Sequence, residues 1–92
     1  MSGRITISPE QVEQIARQFK QSSEESRQIV LGLTQAVQGM ESDWEGVTKQ
    51  RFIQEFEEAD KQMKYFAQIL ESISEELNSI SQRFRSIDQN KF

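Results

Sequence analysis

The apolar residues in the second half of the chain recur in alternating steps of four and three from Phe52 to Ile87. This spacing places one narrow seam on a single face of an α-helix, and a seam of this length is typical of coiled coils and helical bundles. No Pro or Gly occurs within that stretch. We therefore predict one long second helix over about 47–88. Its seam consists of Phe52, Phe56, Ala59, Met63, Phe66, Leu70, Ile73, Leu77, Ile80, Phe84 and Ile87.

Several helix-start signals stand together near the N-terminus. Ser8 is a favourable N-cap residue, and Pro9 suits the first helical position. Gln11 stands where a capping box places its return hydrogen bond. Apolar residues then recur at helical spacing to about residue 41. We therefore predict a first helix over about 9–41.

The break between the two helices is short. It covers 42–46, and Gly46 supplies the backbone freedom that a tight turn requires. Two long helices with a short connection form an antiparallel hairpin. The sequence therefore predicts an all-α fold with one helix-turn-helix domain spanning 1–92.

The composition excludes several classes of function. The chain has no Cys and no His, so we predict no disulfide, no metal site of the usual zinc type and no cofactor. Its net charge of -4 argues against binding to nucleic acid or to an anionic membrane surface. The longest apolar run, residues 29–31, is too short to span a bilayer. The N-terminus lacks the pattern of a Sec signal peptide.

The two predicted helices differ in length, and this difference predicts a partner. At 1.5 Å per residue they span roughly 48 and 60 Å, so Pro9 comes level with about Asn78. The seam nevertheless continues through Ile80, Phe84 and Ile87. A chain that is only 35% hydrophobic can furnish one apolar stripe per helix but hardly a second buried layer. We therefore predict that two hairpins pack antiparallel as a four-helix bundle.

Three serines, Ser22, Ser23 and Ser26, interrupt the apolar face of the first helix at its middle. They form either a solvated weak patch or a place where another helix approaches closely, and their position on the seam favours close approach. Together with the overhanging residues they define the predicted dimer interface. It consists of Phe19, Ser22, Ser26, Ile29, Leu33, Ile80, Phe84 and Ile87.

The most distinctive local motif is Trp44-Glu45-Gly46, which lies at the turn. A central Trp-x-Gly turn between two long helices, in a chain of 92 residues, resembles the WxG family of small proteins exported by type VII (Esx-type) secretion systems. The resemblance is to the Gram-positive members that form homodimers. It implies a non-enzymatic protein that is made in the cytoplasm, dimerises with itself or with a related WxG protein, and is secreted. It also implies recognition by a membrane ATPase of the export machine. An effector (virulence) role or a role as co-export partner would follow outside the cell.

The same family carries a C-terminal export signal of the form Tyr-x-x-x-Asp/Glu. Here the matching stretch is Phe84-x-x-x-Asp88, with Phe in the first position. The resemblance thus implies an export and recognition motif made of Trp44, Gly46, Phe84 and Asp88. In the antiparallel dimer the tail of one chain would approach the turn of the other.

Each motif residue can also have a purely structural role. Trp44 can cap the end of the bundle, Gly46 can serve only the turn, and Phe84 can be a seam residue. An intracellular coiled-coil adaptor or chaperone-like dimer is therefore the alternative function. A membrane-active protein would need a cationic polar face, which this acidic chain lacks. An enzyme would have only carboxylates for acid–base work, and none of them stands in an identifiable apolar pocket.

Overall fold

The computed structural model describes residues 7–89, which form two long helices. Helix α1 spans Pro9–Glu41 and helix α2 spans Val47–Gln89. They run antiparallel and pack along their length, and no strand occurs between residues 7 and 89. The prediction of an all-α helical hairpin is therefore confirmed.

The first turn of α1 is held by the capping box that the sequence predicts. The backbone N–H of Gln11 donates to Ser8 Oγ at 3.2 Å, and the backbone N–H of Ser8 donates to Gln11 Oε1 at 2.8 Å. Pro9 occupies the first helical position, where its missing N–H leaves no donor unsatisfied. These local contacts fix where α1 begins, independently of its packing against α2.

The contact between α1 and α2 is built on small side chains together with three buried valines, Val12, Val30 and Val37. Ala16, Ser23, Ala67, Ser74 and Ser81 are all buried. Each of the three serine hydroxyls donates a hydrogen bond to a backbone carbonyl of the opposite helix, which requires the two backbones to lie close together. We call these three residues the serine ladder. The pairs are Ser23 with Ala67 at 2.8 Å, Ser74 with Ala16 at 2.7 Å, and Ser81 with Pro9 at 3.3 Å.

The serine ladder sets the register of the hairpin. Its members and their partners are spaced by seven residues on each helix, so one side of each helix faces the other throughout. Pro9 consequently lies level with Ser81, and the prediction that it lies level with Asn78 is wrong. The prediction paired residues of the two helices by counting outward from the turn. In the structure, the pairing of α1 with α2 is fixed instead by the hydrogen bonds between serine hydroxyls and backbone carbonyls. The overhang of α2 therefore begins after Ser81, and Ile80 lies within the paired part of the hairpin.

The predicted seam of α2 does not coincide with the contact face. The buried positions Ala67, Ser74 and Ser81 each follow a large apolar seam residue by one position. Those seam residues point away from the closest contact, and Phe66 has 54% of its surface exposed. The hairpin therefore packs through small residues and leaves large ones on a neighbouring face.

Candidate functional site

Large apolar side chains, some exposed and some half-buried, lie along one flank of the helix–helix contact. Successive residues of an α-helix are rotated by about 100°, so the residue before each ladder position faces one flank. Because the helices run antiparallel, that flank lies on the same side of the hairpin for both of them. We call this surface the apolar face. Its large members are Ile15, Phe19, Ile29, Leu33 and Met40 of α1 and Phe52, Phe66, Ile73, Ile80 and Ile87 of α2.

The three serines of α1 divide between two surfaces. Ser23 is buried in the serine ladder, whereas Ser22 is exposed and Ser26 is half-buried on the apolar face. Close approach is therefore observed within the hairpin at Ser23. Ser22 and Ser26 leave a gap between the larger side chains of α1. In each pair of the serine ladder, the residue number on α1 and the residue number on α2 add up to the same value. By the same rule, Phe66 of α2 lies level with the gap between Ser22 and Ser26.

The opposite flank of the contact carries charged side chains, with Leu31 exposed among them. Arg27 donates to Glu71 at 2.8 Å and also to the hydroxyl of Ser23 at 2.8 Å, and Lys20 lies 3.9 Å from the same glutamate. Partly exposed ion pairs of this kind contribute little to stability. They do show that the hairpin has two unlike flanks, of which one is charged and the other apolar.

The connection is shaped by Gly46, whose φ of 105° lies in the region that side chains disfavour. A Cβ built at this glycine would meet no atom within 4 Å. The backbone conformation, rather than lack of space, therefore requires glycine. Lys49 Nζ donates to the carbonyl of Glu41 at 2.9 Å and so satisfies an acceptor at the C-terminal end of α1.

Trp44 lies at the turn end of the apolar face. Its ring centroid is 5.3 Å from that of Phe52, and Phe52 stacks in turn on Phe56 at 6.4 Å. The indole Nε1–H donates to Thr48 Oγ1 at 3.3 Å. The indole is half-buried, so it packs against α2 and still presents part of its surface to a neighbour.

The tail residues lie at the other end of the molecule. Phe84 is half-buried, Ile87 is 60% exposed, and Asp88 belongs to the last turn of α2, although its side chain lies outside the described residues. About 56 Å of helix separates Val47, next to the turn, from Phe84. Within one chain the structure therefore keeps Trp44 and Gly46 apart from Phe84 and Asp88.

The tail end of the hairpin is fastened by a contact that sequence reasoning missed. Arg85 donates twice to the carboxylate of Glu13, through Nε at 3.0 Å and through Nη2 at 2.9 Å. The Ser81 hydroxyl donates to the same carboxylate, and Glu10 lies 3.5 Å from Arg85 Nη2. We call the pair the Glu13–Arg85 clamp. Its partners are 72 residues apart, so only the register reveals it.

These donors stabilise the ionised form of Glu13. The hydrogen bond from Arg85, followed by that from Ser81, lowers the pKa of Glu13 from 4.5 to about 2. Because this pKa is lower in the folded chain than in the unfolded one, the contribution to stability is fully present above pH 4.5. It is lost as the pH falls towards 2.

Between residues 7 and 89 the structure contains no group of three or more Asp, Glu, His or Cys side chains placed to hold a metal ion. Neither helix, over its described length, is long and apolar enough to cross a membrane.

A hairpin of two long helices with a Trp-x-Gly connection and an exposed apolar face defines a class of small helical proteins that pack as bundles. The family model for proteins of 100 residues with WXG, WXG100, matches residues 4–89. The chain therefore belongs to the WXG100 family, as the resemblance at Trp44 and Gly46 predicts.

Similar proteins named as extracellular or secreted agree with this family assignment. The type VII secretion system extracellular protein A of Staphylococcus aureus (strain USA300) is 34% identical over 85 residues, which cover 92% of this chain and 88% of the relative. The crystal structure of the secreted protein EsxB of Bacillus anthracis str. Sterne has a TM-score of 0.85 at 33% identity, covering 91% of this chain and 98% of that one. EsxA of Geobacillus thermodenitrificans has a TM-score of 0.84 at 23% identity over 97% and 100% of the two chains, and shows the shared fold alone.

Proposed function

We propose that this chain is a non-enzymatic substrate of a type VII secretion system, and that it leaves the cell as a folded helical bundle. The observation that carries the proposal is its membership of the WXG100 family together with its similarity to a type VII extracellular protein and to a secreted EsxB. Over residues 7–89 the hairpin presents extended surfaces along both of its helices. The alternative is an intracellular adaptor with the same fold.

The proposal is tested by following the epitope-tagged chain in its native cell during growth. The full-length protein is expected in the culture medium while a cytoplasmic marker protein stays with the cells. Retention of the chain in the cells, at a level unaffected by growth phase, would instead support the intracellular adaptor.

The apolar face supports assembly with a second copy of the chain. Contiguous exposed apolar surface marks an interaction site, and here it runs along both helices. Packing two hairpins face to face and antiparallel would cover it with a chemically identical surface. A related WxG chain is the other partner that this face would accept. The predicted interface residues Phe19, Ser22, Ser26, Ile29, Leu33, Ile80, Phe84 and Ile87 remain the proposed contacts.

The position of Phe66 supports a specific register for this dimer. A twofold axis that crosses the hairpin level with Phe66 also crosses α1 between Ser22 and Ser26. The two α1 helices then approach each other through small side chains, and the two Phe66 rings fill the same layer from the α2 side. The small residues Ser22 and Ser26 and the large residue Phe66 lie at the same level along the bundle, so they complement each other in one core layer.

Replacing Phe66 with glutamate is expected to convert a dimer into a monomer, because the change buries a charge at the proposed axis. The wild-type chain should scatter light with twice the 10.7 kDa chain mass at micromolar concentration. The matched control is Tyr65→Glu, which changes the adjacent aromatic residue on the outer side of α2 and should leave the dimer intact. A wild-type monomer, or a dimer unaffected by Phe66→Glu, would contradict the proposed face.

Replacing both Ser22 and Ser26 with leucine is expected to weaken the dimer. Added methylenes in a tight contact destabilise it by about 1–3 kcal/mol per site. Sedimentation equilibrium should show a higher dissociation constant than for a control with leucines at Ser72 and Ser79, which are exposed on the outer side of α2. An unchanged dimer with a higher melting temperature would mean that the serines are only a polar gap.

The four predicted motif residues fit this assembly as one recognition surface made from two chains. In the antiparallel dimer the tail of each chain lies beside the partner turn, so Phe84 and Asp88 of one chain approach Trp44 of the other. Gly46 would hold the turn in the shape that presents the indole. We assign recognition of this composite surface to the membrane ATPase of the export machine.

A further inference from the structure

The last two turns of α2 extend beyond the first turn of α1. Ser81 is level with Pro9, the first residue of α1, so residues 82–89 extend past α1 as it is described over Pro9–Glu41. Helix ends without neighbours fray readily. Among the described residues, Arg85 reaches back from this segment and binds Glu13 on α1.

The geometry of this contact makes it directional as well as attractive. The guanidinium of Arg85 meets the carboxylate of Glu13 through two parallel hydrogen bonds, which fixes the relative orientation of the two groups. The single proton of the Ser81 hydroxyl is shared between the same carboxylate and the more distant carbonyl of Pro9, so the clamp is continuous with the serine ladder. One face of α2 at Arg85 is thereby held against α1.

Arg85 lies within the motif that the proposed function uses. It follows Phe84 by one residue and precedes Asp88 by three, so all three positions fall within about one turn of helix. A contact that fixes the rotation of this turn also fixes the rotation of the helix backbone at Phe84 and at Asp88.

We propose that the Glu13–Arg85 clamp is a positioning device that keeps the C-terminal turns of α2 helical and holds their rotation, so that the export machine meets a preformed tail. The inference rests on the proposed function and adds an intramolecular requirement to it. Glu13 and Arg85 act through the tail; neither needs to touch the receptor. Preformed recognition elements bind more tightly because they lose less conformational entropy on binding.

The chain offers a matched control for this clamp. Arg27 and Glu71 form another ion pair between α1 and α2, at 2.8 Å, in the middle of the hairpin. Arg27→Glu breaks that pair by charge reversal, as Glu13→Arg breaks the clamp, but it lies far from the tail. Loss of an ion pair in general and loss of the tail contact in particular can therefore be separated.

The experiment compares wild type, Glu13→Arg, Arg85→Glu, the double swap Glu13→Arg with Arg85→Glu, and Arg27→Glu. Amide hydrogen exchange of the purified full-length proteins reports the order of residues 82–89, and secretion into the medium reports function. Either clamp variant should raise exchange in 82–89 by roughly tenfold, as expected for the loss of a charge-assisted hydrogen-bonded pair. Export should fall several-fold in parallel. The double swap should restore both, and Arg27→Glu should change neither.

Unchanged exchange in the clamp variants would overturn the inference, as would normal export from a chain with a loosened tail. Loss of export in Arg27→Glu to the same degree would show a general stability effect and would also overturn it. If the wild-type chain itself stays in the cell, the proposed function fails, and the exchange measurement still decides whether the clamp orders the tail.

Discussion

Replacing Ser74 with leucine is expected to destabilise the hairpin by about 2–4 kcal/mol, since the change combines two losses. The Ser74 hydroxyl donates to the Ala16 carbonyl at 2.7 Å, and Ala16 has no exposed surface. Leucine removes this hydrogen bond and forces three additional carbon atoms into the closest contact of the two backbones. The helices would have to separate along the serine ladder.

The matched control is Ser72→Leu, which makes the same chemical change two residues earlier, where the side chain is exposed. Exposed substitutions of this kind usually alter stability by less than about 0.5 kcal/mol. Urea denaturation followed by circular dichroism at fixed protein concentration compares the two variants with wild type. Equal stability of Ser74→Leu and Ser72→Leu would mean that the small residues do not set the distance between the helices.

Export of a mixed dimer is expected to exceed that of either mutant homodimer if the turn and the tail form one site across two chains. Trp44→Ala and Asp88→Ala should each reduce export roughly tenfold or more, the effect typical of removing a central recognition side chain. A dimer of one Trp44→Ala chain and one Asp88→Ala chain carries one doubly damaged site and one intact site. Its secretion should therefore recover.

The measurement co-expresses the two variants with different tags and quantifies the doubly tagged dimer in the medium. Light scattering on each purified variant first confirms that it still dimerises. Normal secretion of Asp88→Ala homodimers would show that the tail motif is misassigned. Failure of the mixed dimer to recover would contradict a composite site shared between the two chains.

The fold could be predicted because its signals are local. Capping at Ser8 and Pro9 fixes the start of α1 through contacts three residues apart, and the long run without Pro or Gly requires one continuous α2. Trp44 and Gly46 mark the turn between them. Each signal is an intrinsic preference of a short segment, so tertiary packing was not needed to interpret it.

The contact face and the clamp could not be predicted because their signals are not local to one segment. Large apolar residues dominate any periodicity analysis, so Phe66 and its neighbours defined the seam, whereas the hairpin packs on Ala67, Ser74 and Ser81. Small side chains carry little hydrophobic signal and act by allowing two backbones to approach. The register that follows from their hydrogen bonds is a property of both helices together, and the Glu13–Arg85 pair depends on it.

The division of the surface explains how one short hairpin can serve two purposes. Small residues and valines form the closest contact of the hairpin, which leaves larger side chains such as Phe66 and Ile29 exposed to a partner. The polar flank carries the ion pairs, among them Arg27 with Glu71, and stays solvated. Dimer formation would then bring the turn and the tail together without any change in the fold of each chain.

The most direct test of the central claim is secretion of the wild-type chain with and without the membrane ATPase of its type VII system. The account predicts that the folded, full-length protein accumulates in the medium of the parent strain. It also predicts that the protein stays in the cells when the ATPase gene is deleted and returns to the medium when that gene is restored. Equal secretion by the parent and the deletion strain would contradict the account.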